Sequence, residues 1–131
     1  MRKIYIMRRD DYIDISFELD RRGLIWEPEV GDEISLRGSD RTVSILVDPN
    51  GMSPQELRQS FIWLPNVEQL VGQIEDRHGL IFHAGITEGL EYEAIVKCNA
   101  GLVEAKADSL RVVFGKVLNS IISDTLTIPL H

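Results

Sequence analysis

The clearest hydrophobic pattern in the chain runs from residue 66 to residue 123. Val67, Leu70, Val71 and Ile74 recur at i, i+3, i+4 and i+7, the stripe of an amphipathic helix. Asn66 with Gln69 is a capping-box variant at its start. Arg77 and His78 put positive charge in its last turn, and Gly79 follows as the left-handed stop. The period then changes to two. In 80–86, Leu80, Phe82, Ala84 and Ile86 alternate with Ile81, His83 and Gly85. In 91–98, Tyr92, Ala94, Val96 and Cys98 oppose Glu91, Glu93, Ile95 and Lys97. In 102–107, Val103, Ala105 and Ala107 oppose Leu102, Glu104 and Lys106. Short turns at 87–89 and 99–101 predict an antiparallel meander. Asp108 is the expected N-cap of a final helix. Its stripe is Leu110, Val113, Phe114, Val117, Leu118 and Ile121, widened by Val112 and Ile122. Gly115 within that helix costs roughly 1 kcal/mol relative to Ala, which a close packing contact would explain.

Alternation has a topological consequence. A helix on each face of a sheet requires continuous apolar strands, whereas these strands are apolar on one face only. Both helices are therefore expected on one face, in a two-layer sandwich that puts Cys98 in the core. The other face carries His83, Glu93, Lys97, Glu104 and Lys106 and meets water, the N-terminal half or a partner. The order helix–strands–helix resembles small phage-encoded αβα sandwich domains. The likeness rests on Tyr92-Glu93-Ala94 and on Gly101-Leu102-Val103-Glu104-Ala105-Lys106-Ala107-Asp108-Ser109 leading into an apolar helix. It covers about half the chain. It implies an accessory protein of phage or mobile-element type, and it carries no known active site.

The first half reads less cleanly. Ile4, Tyr5 and Ile6 predict a short strand. Residues 12–22 fit two patterns. Ile13, Ile15, Phe17 and Leu19 alternate as in a strand, while an Asp10 cap, the Tyr12/Ile15/Leu19 stripe and Arg21-Arg22 before Gly23 mark a helix. The helix is preferred, because a strand has no need of such end signals. Ile34 and Leu36, then Val43, Ile45 and Val47, predict a hairpin around 38–40. Asp48-Pro49-Asn50-Gly51 is a turn. Ser53-Pro54-Gln55-Glu56 is a capping box with Pro at the first helical position. Phe61 to Pro65 reads as an apolar linker. The expected organisation is an α+β fold with a strand-rich N-terminal part, 1–52, and a C-terminal α/β sandwich, 53–131, either as two parts or as one continuous domain.

Composition narrows the functional classes. A chain of 131 residues can bury an ordinary core. Its net charge of −7 argues against a protein that coats nucleic acid. A single cysteine precludes an internal disulfide and fits a reducing compartment. No apolar run is long enough to span a membrane, and Met1 to Arg9 lacks the apolar core of a signal peptide, so a cytoplasmic protein is expected.

No motif carries chemistry outright. His78 and His83 with Glu75 and Asp76 are metal-ligand types, but they straddle a helix end and a strand without regular spacing; the simpler reading is a dipole-facing His78 and a surface His83. Asp10, Asp11 and Asp14 read first as acids at a helix start. Cys98 lacks a paired base, and Gly115-Lys116 lacks the upstream glycine of a phosphate loop. Arg2, Lys3, Arg8 and Arg9 around Tyr5 form a basic aromatic strand that could touch phosphates or simply guard an edge. Trp26 and Trp63 are either interface anchors or core residues. No cofactor is called for. The leading expectation is a non-enzymatic accessory or interaction protein with a protein partner, through Trp26, Trp63, His83, Lys97 and Glu104. A weak nucleic-acid module using the basic N-terminal strand, and a small enzyme with a carboxylate or His site, are the alternatives.

Overall fold

The computed structural model describes the backbone of residues 3–38 and 41–127, and side chains of residues 12–38 and 41–123. The described residues form four helices and two three-stranded antiparallel sheets, an α+β architecture. The chain divides into two compact units, Met1–Asn66 and Val67–His131. The expected change-over between 52 and 53 thus lies inside the first unit.

The first unit opens with α1 (Lys3–Arg21), where a strand at 4–6 and a helix start at Asp10 were expected. Ile13, Ser16 and Leu19 are buried at a spacing of three, so the helical period prevails over the alternation that also runs through these residues. The C-terminus of α1 is a Schellman motif. Leu24 N–H donates to Leu19 O and Gly23 N–H to Asp20 O, each at 3.0 Å, with Gly23 at φ 102. Strands β1 (Glu33–Leu36) and β2 (Ser44–Ile45) form the predicted hairpin. Helix α2 (Pro54–Ser60) has the predicted capping box. Glu56 N–H donates to Ser53 Oγ at 3.1 Å, and Ser53 N–H to Glu56 Oε1 at 2.8 Å. The segment expected to be a linker is instead strand β3 (Phe61–Trp63). It pairs with β1 through Ile34–Trp63, Ser35–Ile62 and Leu36–Phe61. Three residues are too few to show a period, which is why its apolar run is ambiguous in sequence. Trp26, Ile34, Leu46 and Leu57 form the core of this unit, with Met52, Phe61 and Trp63 packed on it.

The second unit is the predicted sandwich: α3 (Val67–Asp76), β4 (Leu80–Ile86), β5 (Tyr92–Cys98), β6 (Gly101–Ala107) and α4 (Leu110–Thr127). The strands lie in the order β4-β5-β6, an antiparallel meander. Helix α4 packs on β5, β6 and α3. Ala94 and Val96 are fully buried on the helical side, as are Ile74, Val113, Val117 and Leu118.

Both helix boundaries differ by a residue or two from expectation. Helix α4 is capped by Ser109, whose Oγ accepts from Val112 N–H at 3.1 Å, rather than by Asp108. Helix α3 ends at Asp76, and the left-handed residue is His78, at φ 66, not Gly79. Gly79 N–H donates to Ile74 O and His78 N–H to Glu75 O, both at 2.9 Å, a second Schellman motif. Glycine is required at 79 for a different reason. A Cβ there would stand 2.5 Å from Ile74 Cγ2 and 3.3 Å from Val96 Cγ1. The chain passes between two core side chains with no room to spare.

Candidate functional site

Sheet register decides which side chains share the uncovered face of the second unit. Leu80, Lys97 and Leu102 are aligned across the three strands, then His83, Ile95 and Glu104, then Gly85, Glu93 and Lys106. The helical side has Ile81, Val96 and Val103, then Ala84, Ala94 and Ala105, then Ile86, Tyr92 and Ala107. The register of β4 shifts between Ile81 and His83, making Phe82 the extra residue of a β-bulge. This corrects the strict alternation expected for 80–86. Ile81, not Leu80, stands beside Val96 on the helical side, while Leu80 joins the charged residues outside. A one-residue insertion exchanges the faces of everything on one side of it.

The uncovered face is therefore more apolar than the sequence predicts. Leu80 and Leu102 are 58% and 65% exposed and flank Lys97 in one row beside half-buried Ile95, and Phe82 at the bulge is 57% exposed; Ile86, on the other side of β4, is exposed as well. Lone exposed apolar residues are commonplace on protein surfaces, but a cluster ringed by charges is the composition of an interaction surface. His83, Lys97 and Glu104, the residues singled out from sequence, all lie on this face and are exposed. His83 Nε2 is 3.0 Å from Glu93 Oε2, a diagonal pair across β4 and β5. Gly85 makes room for it: a Cβ at 85 would sit 3.2 Å from His83 Cε1. Leu80 and Leu102 are the site residues that sequence reasoning passed over. Their alignment beside Lys97 is the signal, and for Leu80 it is hidden by the bulge.

The two tryptophans fall in the first unit and differ in role. Trp26 is buried, and its Nε1–H donates to Asp32 Oδ2 at 2.8 Å, which also accepts from Glu29 N–H at 2.9 Å. Trp26 O accepts from Arg58 Nη1 at 2.8 Å. It is a core residue, not an interface anchor. Trp63 is half-buried and lines a cleft of about 230 Å³ with Phe61, Arg37, Arg58 and Asp20. Two of the charges there are committed to each other: Arg37 makes a two-point pair with Asp20 at 2.9 and 3.0 Å, and its Nε–H donates to Arg58 O. The Trp63 Nε1–H is buried without a partner in the described structure and is closed off from the open cleft.

The remaining candidates do not converge. Lys3, Tyr5, Arg8 and Arg9 lie on the first turns of α1 rather than on a strand, so the edge-guarding argument for them falls. Their side chains, and Arg2 altogether, lie outside the described residues, as do the side chains of Asp10 and Asp11. Asp14 is paired with Arg41. Glu18 accepts from Arg22 at 2.8 Å and pairs with Arg21; the Arg22 hydrogen bond, foremost, holds its carboxyl below the usual carboxylate range. Cys98 is half-buried, not in the core. It stands in the last aligned row, opposite Gly101, where its Sγ–H reaches Gly101 O at 3.3 Å. Among the described residues no three His, Cys, Asp or Glu side chains gather to hold a metal ion. No helix in the described residues is long and apolar enough to cross a membrane. No protein-family model, curated protein or solved structure matches the chain.

Proposed function

We propose that the chain is a non-catalytic protein-interaction domain whose docking surface is the uncovered face of the β4-β5-β6 sheet. The observation that supports this reading is the pair Leu80 and Leu102, more than half exposed in one row of that sheet face with exposed Phe82 at the bulge, while α4 packs on the opposite side of β5 and β6. Burying three such side chains contributes roughly 1.5–3 kcal/mol each, enough to drive a specific encounter. The surrounding His83, Glu93, Lys97, Glu104 and Lys106 supply a polar rim that sets register.

Affinity capture from the cells that make the protein tests the reading. Wild type is compared with a variant carrying Leu80→Ser and Leu102→Ser, both surface changes that leave the helical core intact. The expected result is a partner, identified by mass spectrometry, that is retained by wild type and lost by the variant. Identical sets of retained proteins would refute it.

A further inference from the structure

The charge on the uncovered face points to its occupant. The second unit holds nine acidic and five basic residues, a balance of −4. The face itself holds two of each, Glu93 and Glu104 against Lys97 and Lys106, and is neutral. The rest of the unit therefore carries all of the excess acid. For two copies of this acidic unit, approach through the sheet face meets less repulsion than approach through the rest of the unit.

The arrangement is also self-complementary. Glu93, Ile95 and Lys97 are spaced evenly along the outer side of β5, about 6.6 Å apart. A two-fold axis through Ile95, in the plane between two sheets and across their strands, sets Ile95 on its own copy. It brings Lys97 onto Glu93 of the second copy, and by symmetry Glu93 onto Lys97, as an isologous interface requires. On β6, Leu102 and Lys106 flank Glu104 in the same way, so Leu102 meets the aliphatic stem of Lys106. In the central row Glu104 meets Glu104 and His83 meets His83, each only on an outer strand where solvent screens it, and Glu93, whose Oε2 holds His83 of its own chain, has its other oxygen for Lys97 of the second copy. An axis along the strands would instead oppose Lys97 to Lys97 and Glu93 to Glu93. Edge-to-edge pairing through β4 is blocked by the bulge at Phe82, a common device against such contacts.

We infer that the uncovered sheet face binds a second copy of this chain, forming a two-fold, face-to-face dimer held by reciprocal Lys97–Glu93 pairs around Ile95. This rests on the reading of that face as a docking surface and adds the occupant. The size of the face sets the strength. Three strands of seven residues cover about 14 by 23 Å, or roughly 330 Å² per copy. Two copies bury about half of the ~1,200 Å² at which stable interfaces begin. The dimer is accordingly weak and concentration-dependent, with a Kd on the order of 100 µM.

Sedimentation equilibrium from about 10 µM to 1 mM, with circular dichroism as the check on folding, tests this. Wild type is expected to shift from monomer to dimer across that range. Lys97→Glu and Glu93→Lys are each expected to weaken self-association about tenfold, since each replaces two attractive pairs by two repulsive ones. Mixing the two variants is expected to restore association, because every opposed pair is then of opposite sign. Wild type that stays monomeric at 1 mM overturns the dimer; if capture of a different protein remains sensitive to Leu80→Ser with Leu102→Ser, the docking face stands with another occupant. Equal association by wild type and both single variants, or no recovery on mixing, also overturns it.

Discussion

Gly79 is the position at which packing, rather than backbone conformation, demands glycine, and this separates three substitutions that look alike in sequence. In Gly79→Ala the added methyl lies 2.5 Å from Ile74 Cγ2, 3.0 Å from Ile74 O and 3.3 Å from Val96 Cγ1. Ile74 and Val96 are both fully buried, so neither side chain can move without displacing the core. Ile74 O is also held, accepting from Gly79 N–H at 2.9 Å and Arg77 N–H at 3.1 Å. Overpacking of this kind costs about 1–3 kcal/mol, and the constrained carbonyl places this site near the upper end. Gly72 lies within α3 with nothing within 4 Å of its added Cβ and no positive φ. Gly72→Ala is therefore expected to stabilise by about 0.5–1 kcal/mol. His78 occupies the left-handed position at φ 66. His78→Gly relieves about 1–2 kcal/mol of steric cost and loses part of it to unfolded-state entropy, a net gain of roughly 0.5 kcal/mol. Urea unfolding followed by far-ultraviolet circular dichroism, with amide exchange at Val96, measures all three. Tryptophan fluorescence would not, since Trp26 and Trp63 both lie in the first unit. Gly79→Ala at or above wild-type stability would refute the packing argument, as would a destabilising His78→Gly.

Two further predictions concern the first unit. Trp26→Phe strands the buried Asp32 carboxylate with one fewer donor and is expected to cost several kcal/mol in ring packing and hydrogen bonding together. Trp63→Phe, which removes a buried N–H that has no partner, is expected to cost far less; equal losses in urea unfolding would contradict this. For Glu18, the folded carboxyl titrates below the ordinary range, so its contribution to stability is present above the unfolded carboxylate pKa and is lost as pH falls through the folded value. An NMR titration is expected to show the Glu18 midpoint rising in Arg22→Gln, and an unmoved midpoint would contradict the hydrogen-bond cause.

The legible parts of the chain were those with redundant local signals. Helices α3 and α4 have stripes long enough to define a period, and the capping box at Ser53 and Glu56 names its own helix. The three-strand meander followed from alternation and short turns. Other features depend on contacts distant in sequence. Phe61–Trp63 becomes a strand because Glu33–Leu36 offers an edge to pair with, and nothing within three residues announces that. The exchange of α1 for a strand at 4–6 reflects a helix that runs on from residues 12–21, where Ile13, Ser16 and Leu19 bury one face. The candidate face was legible in its charges, since His83, Lys97 and Glu104 stand at alternating positions. Its apolar half was not, because the bulge at Phe82 carries Leu80 to the outside. Trp26 was ambiguous for a simpler reason: aromatic rings serve cores and interfaces equally well, and its burial with the Asp32 hydrogen bond places it in the core of the first unit.

The central claim is that the uncovered face of the C-terminal sheet meets protein. Photo-crosslinking tests it most directly, with a benzophenone side chain placed at Leu102 on that face or at Lys116, an exposed position on α4. Irradiation in the producing cells is predicted to give a discrete protein adduct from position 102 and none from position 116. No adduct at 102, or the same adducts from both positions, would contradict the account.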